Sequence, residues 1–308
     1  MINFRYHLVS LTAMFLALGL GIAMGATVVN RALVTVLQDQ LKRVGTRADN
    51  VAATNDRLAA ELDGWDRFAA QAGNRLVEGR LAGVRVVTVT FAGVNGDVVG
   101  ALKASLRSAG SAVAEEVLFT SRFALGDEQA TAELATLVAA GSTNPTAVRA
   151  EAARRVAEAW AGRARPGLIA DLVAADFLQI AADDGVPPPA IAETGARFLV
   201  VSSAEADLPN ESVSIPLVTA MAELALPVVA ADATLGDRDP ARVPEPDIEP
   251  SPFVAPLRAD EQVRGRVSTV DHAAGFRGRT AVILALAEID TAVGQYGSGR
   301  GAERFLPD

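Results

Sequence analysis

The sequence predicts an α/β protein in three parts: a single N-terminal transmembrane helix, a long coiled-coil helix, and a Rossmann-like domain with a mostly parallel sheet. An uncharged apolar run opens the chain, a heptad pattern follows it, and β-branched runs then alternate with amphipathic helical patterns. We place the transmembrane anchor at residues 1–30, the coiled-coil helix at 31–80 and the α/β domain at 81–308.

The first predicted element is a membrane anchor. Residues 8–29 contain no Asp, Glu, Lys or Arg. At about 1.5 Å per residue this run extends roughly 33 Å, enough to cross a hydrocarbon core of about 30 Å. Gly21 and Gly25 stand four residues apart and leave one face open to a second helix, so we include both in a predicted dimerisation surface. A cleaved signal peptide is the alternative, because Ala23 and Gly25 are small enough to flank a cleavage site.

The second predicted element is a coiled coil. Apolar residues recur with a period of 3.5 across residues 37–76, which specifies a left-handed supercoil. Asn55 falls at a central a position, where an amide paired with its twin favours a parallel, two-stranded arrangement. We therefore predict a parallel homodimer; the alternative is that this helix folds back on the following domain. The predicted seam consists of Leu41, Val44, Val51, Asn55, Leu58, Leu62 and Trp65.

The remaining residues alternate between strand and helix patterns. Such alternation is typical of an α/β domain with a parallel sheet. Predicted strands cover residues 84–91, 114–120, 197–202, 227–231 and 267–270, and predicted helices cover 97–109, 128–140, 146–161, 168–181, 216–224 and 278–293. Residues 232–256 carry six carboxylates and six prolines, and we predict that they form a mobile, acidic, Pro-rich loop.

Composition excludes several functions. The net charge is -9 and basic residues are scattered, which argues against a nucleic-acid partner. The chain has no Cys, and its two histidines are His7, beside the anchor, and His272, which we interpret as a surface-loop residue. A two-histidine metal site within one subunit is therefore not expected. We find no ordered catalytic acid or nucleophile and predict that the chain is not an enzyme.

Two glycine-rich segments have alternative interpretations. "FAGVNGD" at residues 91–97 places glycines between a strand and a helix, where backbone amides can receive an anion. It lacks the full dinucleotide pattern and a P-loop lysine, so we predict a plain turn. "YGSGRGAER" at residues 296–304 is suited to wrapping around the domain or to partner contact, or is a frayed terminus.

The two ends of the chain identify a relationship. The opening "MINFRYHLVSLTAMFLALGLGIAMG" and the closing "VSTVDHAAGFRGRTAVILALAEIDTAVGQYGSGRGA" resemble the actinobacterial MctB family of copper transporters, one branch of which is described as outer-membrane copper-efflux proteins. The resemblance implies a cell-envelope location, an extracytoplasmic α/β domain and a role in copper homeostasis. It extends to SteB-type members, which implies a cytoplasmic SteA-like partner in envelope assembly or division.

The residues and the resemblance disagree about direct transport. Copper(I) prefers thiolate and thioether ligands, whereas this chain has no Cys and four Met. Copper is therefore implied by the resemblance alone, and we predict no bound cofactor. One apolar helix suits a single-pass protein of the cell membrane, and the alternating strands of an outer-membrane barrel are missing. Three hypotheses follow: copper efflux or tolerance at the envelope, a non-enzymatic dimeric scaffold, and an envelope enzyme, which would need an ordered acid or nucleophile that we do not find.

Overall fold

The first compact unit of the protein is a helix. The computed structural model describes residues 4–111, 113–181, 195–235 and 251–307, and divides into two units, Met1–Asp66 and Arg67–Asp308. Helix α1 covers Phe4–Val77. Its segment Tyr6–Gly25 has a mean hydropathy of 2.1 and is long and apolar enough to cross a membrane, a criterion that signal sequences also meet.

The second unit is built on a mixed sheet. Its described strands are β1 (Arg85–Phe91), β2 (Val113–Phe119), β3 (Leu178–Ala181), β4 (Arg197–Ser202), β5 (Val228–Asp232), β6 (Ser268–Val270) and β7 (Gln295–Tyr296). They lie in the order β3-β2-β1-β4-β5-β6-β7. Every neighbouring pair is parallel except β2 and β3. The predicted α/β class with a mostly parallel sheet is confirmed.

Helices cover both faces of this sheet. They are α2 (Gly96–Ser108), α3 (Glu128–Leu137), α4 (Pro145–Trp160), α5 (Leu168–Ala174), α6 (Ser214–Glu223), α7 (Val254–Ala259), α8 (Glu261–Arg264) and α9 (Phe276–Glu288). Strand β1 explains the arrangement, because its alternating side chains are buried on both sides. Val87 and Val89 join the core beneath α3 to α6, whereas Val86 joins the core beneath α2 and α9.

The predicted helix 168–181 is wrong in its second half. Helix α5 ends at Ala174, and Leu178–Ala181 forms β3, which pairs antiparallel with β2. Asp176 adopts a left-handed conformation at φ 56°, which ends the helical run. Thr120 fixes the turn from the other side, because its Oγ1 donates a 2.6 Å hydrogen bond to the Asp176 carbonyl.

Most of the predicted acidic loop 232–256 lies outside the described residues. Its two ends belong to regular structure instead. Asp232 is the last residue of β5 and is only 5% exposed, and Val254 begins α7. Mobility of the intervening residues stays a prediction.

The C-terminal segment closes the far edge of the sheet. Strand β7 has only two residues, and the chain then loops round so that residues near Arg304 lie parallel to it. Glu303 donates its backbone N–H to the Gln295 carbonyl at 2.7 Å, and Gly297 donates to the Arg304 carbonyl at 2.9 Å. Tyr296 and Arg304 form a further bridge. The structure shows the tail wrapped against the domain, as one of the two predictions required, and not a frayed terminus.

Candidate functional site

A buried ion pair lies where β5, β6 and β7 end. Asp271 directly follows β6 and is 2% exposed, and Arg258 of α7 is 5% exposed. Their side chains meet at 2.8 Å. Arg258 also donates to Thr269 Oγ1 at 2.7 Å and to the Tyr296 carbonyl at 2.7 Å. Because the guanidinium has donors in a fixed fork, it joins α7, β6 and β7 at one point.

The C-terminal tail supplies two further hydrogen bonds to the Asp271 carboxylate. Backbone N–H groups of Ser298 and Gly299 each donate to its carboxylate at 2.9 Å. Burial alone would raise the pKa of Asp271, but hydrogen bonds from His272, Arg258 and Ser298 hold the pKa well below its ordinary value. The carboxylate is therefore ionised throughout the neutral range.

Glycine is required where the tail crosses this pair. Gly297 has a φ of +125°, and a Cβ there would overlap the Asp271 carboxylate. At Gly299 a Cβ would lie 2.8 Å from Asp271 Oδ2. The glycine pattern of "YGSGRGA" thus reflects close approach of backbone to a buried side chain.

His272 forms the exposed rim of this site. Its Nδ1 lies 2.6 Å from Asp271 Oδ1, and about half of its side chain is exposed. Hydrogen bonding to Asp271 raises the pKa of His272, burial opposes this, and the charges of Asp271 and Asp232 add to the increase. The loop position matches our interpretation from the sequence, but the contact with a buried carboxylate had no local signal.

Asp232 is the second buried carboxyl group here. Burial raises its pKa, while hydrogen bonds from Thr234 act in the opposite direction. Thr234 Oγ1 donates to Asp232 Oδ1 at 2.6 Å, and Ala273 donates its N–H to the Asp232 carbonyl at 2.8 Å. The bond from Ala273 connects the end of β6 to the end of β5, whereas the bond from Thr234 lies within the end of β5.

The glycine segment 91–97 forms the predicted plain turn. Asn95 Oδ1 accepts hydrogen bonds from the backbone N–H groups of Asp97 at 2.9 Å and Val98 at 3.3 Å. These are the amides that an anion at the start of α2 would need. Gly93 has a φ of +87°, and a Cβ there would overlap the Asp207 backbone. The Asn95 side chain and the Asp207 backbone therefore occupy the space in which an anion would bind.

The described ranges contain no group of three or more His, Asp or Glu side chains placed to hold a metal ion. Asp232, Asp271 and His272 are joined to the protein by hydrogen bonds instead. These parts of the chain therefore offer copper, as a cargo, no cluster of His, Asp and Glu ligands. The shortage of soft ligands in the sequence points the same way.

The predicted dimerisation residues all lie on α1. The six apolar seam side chains are 47% to 71% exposed in the single chain, and Asn55 is exposed with them. A Cβ added at Gly21 or Gly25 would have no neighbour within 4 Å. The structure places these residues along one helix, and dimerisation itself stays a prediction.

Comparisons with known proteins identify the relationship. The chain matches the family model described as "Copper transport outer membrane protein, MctB" over residues 1–307. Proteins named "Copper transporter MctB" from Mycobacterium bovis and from two strains of Mycobacterium tuberculosis are each 29% identical over 318 residues. Each alignment covers 98% of this chain and 98% of the relative. The chain therefore belongs to the MctB family.

Proposed function

We propose that this protein is a single-pass, membrane-anchored envelope protein that acts in copper homeostasis, with its α/β unit outside the cytoplasm. The family match over residues 1–307 is the observation that carries the proposal, because it includes both the apolar helix and the α/β unit. Relatives of nearly equal length bear the name of a copper transporter. Segment Tyr6–Gly25 has the length of a single membrane span.

The physical chemistry favours an indirect or shared role in copper export. A single helix cannot enclose a pore, and the described residues contain no group of three or more His, Asp or Glu side chains placed to hold a metal ion. The protein then needs a second copy or another protein to form any path through the membrane. A helix of this kind suits the inner membrane better than the outer membrane.

Total copper in cells under mild copper stress tests this function. We expect deletion of the gene to raise cell-associated copper, and expression of the full chain to restore the normal level. A chain lacking residues 1–76 is expected to leave copper high, because it keeps the buried Val77 and Leu81 of the α/β core but loses the apolar helix. Unchanged copper after deletion would contradict the proposal.

A second candidate function is a non-enzymatic dimeric scaffold that works with a cytoplasmic SteA-like partner in envelope assembly or division. The exposed apolar seam on α1 favours this function, because apolar side chains at heptad positions are buried only when a second helix packs against them. The strand order β3-β2-β1-β4-β5-β6 supports the Rossmann-like interpretation of the α/β unit, although β3 runs antiparallel. In this function α1 joins two copies and the α/β units bind envelope proteins.

Replacing Asn55 with Leu tests the scaffold. We expect the variant to form a tighter dimer or a larger oligomer, because a polar residue at an a position lowers stability and fixes the number of strands. The dissociation constant should fall by about tenfold, equivalent to about 1.4 kcal/mol. Asn50→Leu is the matched control, since Asn50 lies on α1 outside the seam. Analytical ultracentrifugation of the full chain in detergent measures both.

A monomeric wild-type protein would contradict the scaffold function, as would equal effects of the two substitutions. Cellular copper that is normal in the Asn55→Leu strain, together with a changed oligomer, would separate assembly from copper homeostasis.

A further inference from the structure

We propose that residues 297–301 form a C-terminal clasp that tightens when His272 gains a proton. Two backbone N–H groups of this segment, those of Ser298 and Gly299, donate to one carboxylate, Asp271, which also contacts His272 and Arg258. The inference concerns regulation within the α/β unit and is independent of the copper proposal.

Each oxygen of Asp271 joins the tail to another partner. Oδ1 accepts the Ser298 N–H at 2.9 Å and faces His272 Nδ1 at 2.6 Å. Oδ2 accepts the Gly299 N–H at 2.9 Å and a guanidinium N–H of Arg258 at 2.8 Å. The orientation and charge of this carboxylate therefore depend on all of its partners at once.

His272 is the partner whose charge changes near neutral pH. An arginine guanidinium does not lose its proton in proteins. Because Asp271 is ionised, its hydrogen bond with His272 is charge-assisted in both states of the imidazole, and protonation adds the attraction between two opposite full charges. Protonation therefore holds the carboxylate more firmly in the position that accepts the two tail amides.

The charged groups around His272 set the direction of the response. Asp271 lies beside it, Asp232 approaches from the end of β5, and Arg258 approaches from α7. Helix α9 approaches the backbone carbonyl of His272 at Gly278, and its nearby Arg279 donates to the Ala274 carbonyl. The hydrogen bond to Asp271 and the charges of the two carboxylates outweigh burial and the charge of Arg258, so the pKa of His272 is raised.

A raised pKa fixes the sign of the pH dependence. The stabilisation from His272 is fully present below the pKa of an unperturbed histidine, about 6.5, and is lost as the pH rises through the higher pKa of the folded state. The clasp is therefore firmest in mildly acidic solution and looser above neutrality.

The clasp also connects the tail to α7. Arg258 donates to the Tyr296 carbonyl at 2.7 Å and to the Arg300 carbonyl at 3.2 Å. Release of residues 297–301 would remove the Arg300 carbonyl from a buried guanidinium, so α7 would lose its attachment to the tail. Proton binding at His272 thereby affects two elements that are far apart in the sequence.

Amide hydrogen exchange of the full-length protein in detergent micelles tests the clasp. The readout is protection of the peptide that covers residues 296–304, corrected for the intrinsic effect of pH on exchange. We expect protection in the wild type to rise several-fold as the pH falls from 8 to 6. In His272→Asn protection should stay flat, because asparagine accepts the φ of 53° but does not titrate.

His7→Gln is the matched control, since it removes the other histidine of the chain and should keep the wild-type response. Protection in the wild type that does not change with pH would overturn the proposal, and this result requires no variant to fold. A wild-type pH response in folded His272→Asn would overturn it as well.

Discussion

Arg258→Met is expected to lower the free energy of unfolding of the α/β unit by about 3–5 kcal/mol. The substitution keeps much of the side-chain volume but leaves Asp271 charged and only 2% exposed. It also removes the donors to Thr269 and to the Tyr296 carbonyl. Breaking one side of a buried pair is costly because the remaining charge keeps its desolvation penalty.

Denaturant unfolding followed by tryptophan fluorescence measures this effect, since Trp160 is buried against Phe198 and reports on the core. Arg300→Met makes the same chemical change on the same tail at an exposed side chain, and we expect it to shift stability by no more than about 0.5 kcal/mol. Similar losses in the two variants would show that Arg258 has no special role in the site.

Gly278→Ala is expected to destabilise the protein by about 3 kcal/mol, near the upper end for overpacking. A Cβ at this position would overlap the backbone carbonyl of His272 and would lie 2.7 Å from the Ala273 Cα. Backbone atoms cannot rotate away as a side chain can. The loop between β6 and α9 would have to move, and with it Asp271.

Gly100→Ala is the matched helix substitution for this test. Gly100 lies in α2, and a Cβ there meets nothing within 4 Å. The change is expected to stabilise the protein by about 0.5–1 kcal/mol, because alanine loses less backbone entropy than glycine in a helix. Thermal melts of the two variants should therefore move in opposite directions. A neutral Gly278→Ala would mean that the loop adapts without cost.

The strands of the parallel sheet were predictable because burial on both faces requires continuous apolar runs. The prediction for β1 began one residue early and ended correctly at Phe91. Strand β3 was missed, since its four residues continue an apolar pattern that begins in α5. Nothing local in the sequence distinguishes a helix that continues there from one that stops at a left-handed residue.

The candidate site was only partly predictable. The glycine-rich tail gave a signal that the backbone approaches something closely, but not what it approaches. Arg258, Asp271 and Ser298 are separated by 13 and 27 positions, and only the order of β5, β6 and β7 brings them together. The predicted dimerisation surface depends on a second copy, so its outcome rests on the Asn55→Leu measurement.

The tail that pairs with β7 also covers the outer edge of the sheet, where another chain could otherwise add a strand. A terminal strand with open N–H and C=O groups is a template on which another chain can add a strand, and such addition leads to aggregation. Here Glu303 and Arg304 hydrogen-bond to Gln295 along that strand. Proteolytic trimming before residue 303 would expose this edge, so an intact C-terminus contributes to solubility as well as to stability.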